Sequence, residues 1–123
     1  MTGAWRQLER FIGLYLPASP TDPSWILWME AWTRAPHSTE VSRLLDELMR
    51  PWREDLAGIL TRGTQEGVFT PKGPVNEVTL RFCALLDGLA ILRLRQMPGL
   101  PRKRLIEMAV TAARAELTQD PAG

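Results

Sequence analysis

The chain has 123 residues, 45% of them hydrophobic and 24% charged, which is the size and make-up of one globular domain. Its 15 Lys and Arg against 14 Asp and Glu leave a net charge of +1, so there is no electrostatic ground for binding nucleic acid or an anionic membrane. A lone cysteine, Cys83, excludes an internal disulfide. With a lone histidine, His37, it cannot build a zinc site, and no apolar run approaches the roughly 20 residues of a membrane span.

Leu and Ala far outnumber Val and Ile, and no run alternates as a half-buried strand would, so the chain reads as all-α. Prolines at 17, 20 and 23, at 36, at 71 and 74, and at 98 and 101 mark four joints between five helical segments. The first helix is predicted from about Ala4 to Leu16, with Trp5, Leu8, Ile12 and Tyr15 on one face. The second starts at Asp22-Pro23, a capping acid followed by proline in the first turn, and runs to about Arg34. The third extends from near Ser38 to about Glu66, where Gly67 is a natural left-handed stop and Val68-Phe69 fold back. Pro51 lies inside it, has no N–H for the carbonyl of Glu47, and predicts a kink or a split, hence five to six helices. The fourth helix runs from Pro74 to about Gln96 and the fifth from Pro101 to about Leu117. Residues 118–123 read as a frayed tail.

Two helices carry more apolar surface than a surface helix needs. In the fourth, Val75, Val78, Phe82, Leu85, Leu86, Leu89 and Leu92 form one stripe, with Ala84, Gly88, Ile91 and Leu94 beside or behind it. Burial on two sides follows, either at the centre of a monomeric bundle or against a second copy of the chain. The pattern leaves both open. The fifth helix adds small residues, Ala109, Ala112, Ala113 and Ala115, which permit close helix approach. In the second, Trp25, Trp28 and Trp32 stand at i, i+3 and i+7 with Met29 on the same side, and Trp52 adds another indole. Such rings suit a pocket for an apolar ligand, although an aromatic stripe at helical spacing is core more often than pocket.

The chemistry of catalysis is missing. The one histidine sits in a proline-marked loop and reads as a residue leading into the next helix. The paired carboxylates lie on a polar face with i,i+4 partners, and Arg102-Lys103-Arg104 reads as a solvated helix end. Gly63 to Gly67 lacks the Lys-Ser/Thr end of a phosphate loop. Asp87 stands out, placed among Leu85, Leu86, Leu89 and Ala90. It could face a ligand, pair with an arginine across a subunit interface, or be a partly exposed helix residue.

Two segments carry a resemblance. Trp52 to Phe69 ends a long helix in a Gly-x-x-x-Gly-x-Phe turn at Gly63, Gly67 and Phe69, and Phe82 to Ala90 holds Leu-x-Asp-Gly-Leu at Leu85 to Leu89. Together they resemble the C-terminal domain of TetR-family transcriptional regulators, in particular the BetI-like subgroup. The five-segment layout extends the likeness to nearly the whole chain.

The resemblance implies a single domain over residues 1–123, a helical bundle that dimerises through its last two helices in a four-helix interface and holds a small-molecule effector. Carried over by architecture, the effector pocket would involve Trp25, Trp28, Met29, Trp32, Trp52, Leu56, Phe82, Leu86 and Asp87. The dimer contact would involve Leu85, Leu89, Leu92, Ala109, Ala112 and Ala113. The rings fit an apolar, aromatic or cationic effector. No cofactor or metal, no enzymatic activity and no membrane contact are expected, and the location is cytoplasmic.

The family's helix-turn-helix is not in this sequence, and residues 1–17 correspond to the later part of the helix that would leave it. Direct nucleic-acid binding by this chain is therefore not expected. An alternative is a helical interaction protein that heterodimerises with full-length regulators.

Overall fold

The computed structural model describes residues 3–119. It contains five α-helices: α1 (Gly3–Tyr15), α2 (Pro23–Arg34), α3 (Thr39–Gln65), α4 (Val75–Leu94) and α5 (Arg102–Leu117). A single 3-10 turn, Ala35–His37, joins α2 to α3. There is no strand among the described residues. Only Thr118 and Gln119 of the expected tail are described, and the rest lies outside them.

The local signals act as their chemistry dictates. The Asp22 carboxylate accepts from the Ser24 backbone N–H at 3.1 Å and caps α2, with Pro23 in the first turn. The Ser38 hydroxyl accepts from Val41 N–H at 3.2 Å and caps α3. Pro51 does not split α3, which runs unbroken through it for 27 residues. Helical signals on both sides outweigh one missing hydrogen bond. Arg53 reaches back across the proline turn, with Nη2 donating to the Asp46 carbonyl at 3.3 Å and lying 4.0 Å from its carboxylate.

The end of α3 explains the glycine motif. Gly67 adopts φ +77°, and two bonds close the turn: Val68 N–H to the Gly63 carbonyl at 2.8 Å and Gly67 N–H to the Thr64 carbonyl at 3.0 Å. The chain reverses and Phe69 lays its ring on Gly63, where a Cβ would stand 2.2 Å from the ring. Trp5 of α1 meets that ring edge-on, with centroids 4.9 Å apart. The loop beyond Phe69 is tied to α5 by Thr70 N–H to Leu117 O at 2.7 Å and Lys72 N–H to Glu116 O at 2.9 Å. Arg81 of α4 then grips the Glu116 carboxylate through Nε (3.0 Å) and Nη2 (2.9 Å), holding that carboxyl below its usual range.

The core lies between α1, α3, α4 and α5. Leu8, Ile12, Leu56, Leu60, Val78, Leu86 and Leu105 are among its largest fully buried side chains. On α5, Leu105, Ala109, Ala113 and Leu117 recur every fourth residue and form the buried stripe. The small side chains at 109 and 113 let the helix sit close. Helix α2 and the first half of α3 contribute only Trp25 and Leu45 to the buried set, and leave Ile26, Leu27, Leu44 and Leu48 exposed.

Gly63→Ala should destabilise the domain by about 1–3 kcal/mol, because the ring of Phe69 must leave its seat. Urea unfolding monitored by circular dichroism measures this, and an unchanged midpoint would contradict the packing role of the glycine.

Candidate functional site

The last turn of α1 is where the helices converge. Tyr15 is buried at the end of that turn. Its ring stacks on Phe11 (centroids 5.6 Å apart), meets Trp25 of α2 edge-on (5.7 Å) and meets Trp52 of α3 at 90° (5.3 Å). Its hydroxyl donates to Asp87 Oδ1 of α4 at 2.5 Å. Its backbone carbonyl, unpaired by the helix itself, accepts from Trp25 Nε1 at 3.1 Å. Two residues earlier, the Gly13 carbonyl accepts from the Arg102 guanidinium at the start of α5.

Beside this junction opens a cavity of about 370 Å³, a volume within the usual range for small-molecule sites. Its aromatic wall is Tyr15, Trp25, Trp28, Trp32 and Trp52, with Met49 as the pliable element. Trp25 and Trp32 pack edge-on at 5.9 Å, which fixes their mutual orientation. Gly13, Leu14, Leu16, Ala18, Asp22, Ser24 and Arg102 complete the lining.

The residues expected at a pocket from sequence fall into four groups. Trp25, Trp28, Trp32 and Trp52 stand together on the cavity wall. Leu56, Phe82 and Leu86 are buried in the core and do not line it. Met29 lies on the other side of α2, in a shallow groove with Ile26, Pro20 and Leu94. Asp87 is half-buried and joins the site through Tyr15 rather than as wall. Tyr15, Met49 and Arg102 complete the site and were not among the expected pocket residues. Tyr15 was legible as a member of the α1 apolar face, whereas nothing local marks Arg102, whose partner lies 89 residues away.

The expected dimer residues also divide. Leu89, Ala109 and Ala113 are buried within the chain itself, because α4 and α5 pack on the core through them. Leu85 is exposed, and Leu92 and Ala112 are half-buried. The outward face of α4 is carried by Leu80 (60% exposed), Ala84, Gly88 and Ile91, with Leu85 and Leu92 alongside.

Burial shapes the electrostatics of the junction. It raises the Asp87 carboxyl above its ordinary value, against the Tyr15 hydrogen bond and the Arg53 charge, which both favour the carboxylate. Tyr15 is pushed far up by burial and by its bond to Asp87. Cys83, buried nearby, is raised to about 11 by burial and by the Asp87 charge, which keeps it a thiol. No cluster of His, Cys, Asp and Glu among the described residues is arranged to hold a metal ion, and no helix is long and apolar enough to cross a membrane.

A family model describing the C-terminal part of BetI-type transcriptional repressors matches residues 4–118. It spans all five helices, the glycine turn and the cavity. No curated protein matches the chain significantly.

The raised carboxyl has a consequence for stability. An acid with an elevated folded pKa contributes stability that is full below its unfolded value, 3.8 for Asp87, and is lost as pH rises through the folded value. In Asp87→Asn that loss is absent, so stability should climb more steeply from acid to neutral pH than in the parent chain. Thermal melts across that range test it, and parallel curves would show that Asp87 titrates normally.

Proposed function

Because the chain belongs to the family of BetI-type transcriptional repressor C-terminal domains, of the TetR kind, we propose that it is the effector-binding and dimerising part of a cytoplasmic regulator. Domains of this kind are regulatory rather than enzymatic. The observation that carries the effector reading is the ring-walled cavity against the end of α1. Rings held in fixed edge-on pairs present a preformed apolar surface, so an apolar or aromatic molecule binds without ordering the wall first.

The site also contains its own route to α4. An occupant touching Tyr15 and Trp52 presses on a tyrosine whose hydroxyl is bonded to Asp87. Any displacement of Tyr15 therefore reaches the helix whose outer face is apolar. A ligand shifts such an equilibrium only by its differential affinity for the two arrangements, and Tyr15 is the group through which that difference acts.

Dimerisation is assigned to the outward stripe of α4: Leu80, Ala84, Gly88 and Ile91, with Leu85 and Leu92 beside it. Fully burying one such large side chain is worth about 1.5–3 kcal/mol. Ala84 and Gly88 let a second copy of the helix approach closely. A Cβ at Gly88 would meet nothing within 4 Å in this chain.

Two measurements test the reading. Sedimentation at micromolar concentration should give a dimer, and Gly88→Arg should give a folded monomer with the same helicity. A parent chain that is already monomeric would overturn the dimer assignment. Tryptophan emission should respond to at least one member of a panel of small aromatic and apolar molecules, and complete insensitivity would return the indoles to a purely structural role.

A further inference from the structure

We propose that the effector is a ring-bearing carboxylate, its ring against the indoles and its anion at Arg102. This rests on reading the cavity as the effector site. Only two charged side chains line that cavity, Asp22 and Arg102, and they differ in what they are already bonded to. Asp22 is committed to the backbone: Oδ1 accepts from Ser24 N–H at 3.1 Å and Oδ2 from Ala18 N–H at 3.4 Å, which together close the start of α2. Its charge is answered by those amides and by the positive end of the helix.

Arg102 is answered only in part, by the carbonyl end of α1, which carries roughly half a unit of negative charge. Its Nη2 donates to the neutral carbonyl of Gly13, its Nε is covered and has no partner, and no carboxylate pairs with it among the described residues. It is also the first residue of α5, where the backbone begins at the positive end of that helix. With Nε covered and Nη2 held by Gly13, the Nη1 side of the guanidinium is what remains for a ligand, and a carboxylate is the acceptor that makes its bond charge-assisted.

The three ligand chemistries the rings allow are therefore unequal. A cation would gain from the ring faces but would sit beside an only partly neutralised arginine, with the nearby carboxylate already occupied by amides. A neutral apolar molecule would fill the indole wall and leave the guanidinium without an acceptor. A ring-bearing acid satisfies both the wall and the charge.

Isothermal titration calorimetry with phenylacetate, phenylacetamide and phenethylammonium compares one ring with three charges. Phenylacetate should bind about tenfold or more tighter than phenylacetamide, the range expected when a hydrogen bond becomes charge-assisted. Arg102→Met should bring those two affinities together by weakening the acid alone, with Arg102→Lys between. Should either variant lose its fold by circular dichroism, the ranking in the parent chain still decides. Equal binding of acid and amide, or tightest binding of the ammonium, would overturn the assignment of an anion and leave the cavity as a binding site. Absence of binding by all three would overturn the effector site itself.

Discussion

The structure depends on how the open carbonyl end of α1 is satisfied. A helix ends with carbonyls that its own backbone cannot pair, and burying them unpaired is costly. Here Gly13 receives the guanidinium of Arg102 from α5, and Tyr15 receives the indole N–H of Trp25 from α2. The Tyr15 ring packs on Trp52 of α3 and its hydroxyl holds Asp87 of α4. One helix end thus bonds or packs against all four other helices. A cation at a helix C-terminus is also the favourable sense of the dipole.

That convergence places the cavity. The large rings needed to close the junction cannot fill all the space between α1, α2 and α3, and the remainder is walled by Trp25, Trp28, Trp32 and Trp52. The same tyrosine belongs to the wall and to the bond with α4. The proposed binding and pairing surfaces are therefore one residue apart in a chain of contacts, although they face different directions. The proposed function, an effector site coupled to a dimer contact, needs such a link. Helix α4 suits the part, being apolar on the inner face at Val78, Phe82, Leu86 and Leu89 and on the outer face at Leu80, Ala84 and Ile91.

Local signals made the fold legible. Proline joints, the Asp22 and Ser38 caps, and Gly67 mark the helix ends to within a residue or two. The motif of Gly63, Gly67 and Phe69 is fully accounted for by one reversed turn with a ring seated on a glycine. Of the two outcomes Pro51 predicts, a kink or a split, the split does not occur, since a long helix with strong flanks continues through it.

The site was half legible. Tryptophans at helical spacing point to a common wall, but whether Leu56, Phe82 and Leu86 line it or lie beneath it depends on interhelix packing that no spacing encodes. Arg102 looked like a solvated end because its run is basic, and its bond to Gly13 is a long-range contact invisible to local pattern. The dimer residues show the same limit, since the α5 stripe of Ala109 and Ala113 serves the chain's own core. If Tyr15 joins the cavity wall to α4, a double-mutant cycle of Trp25→Phe and Asp87→Asn in urea unfolding reads that connection. A coupling of about 0.5 kcal/mol or more is expected, vanishing in a Tyr15→Phe background. Additive effects of the two substitutions in the parent chain would contradict it.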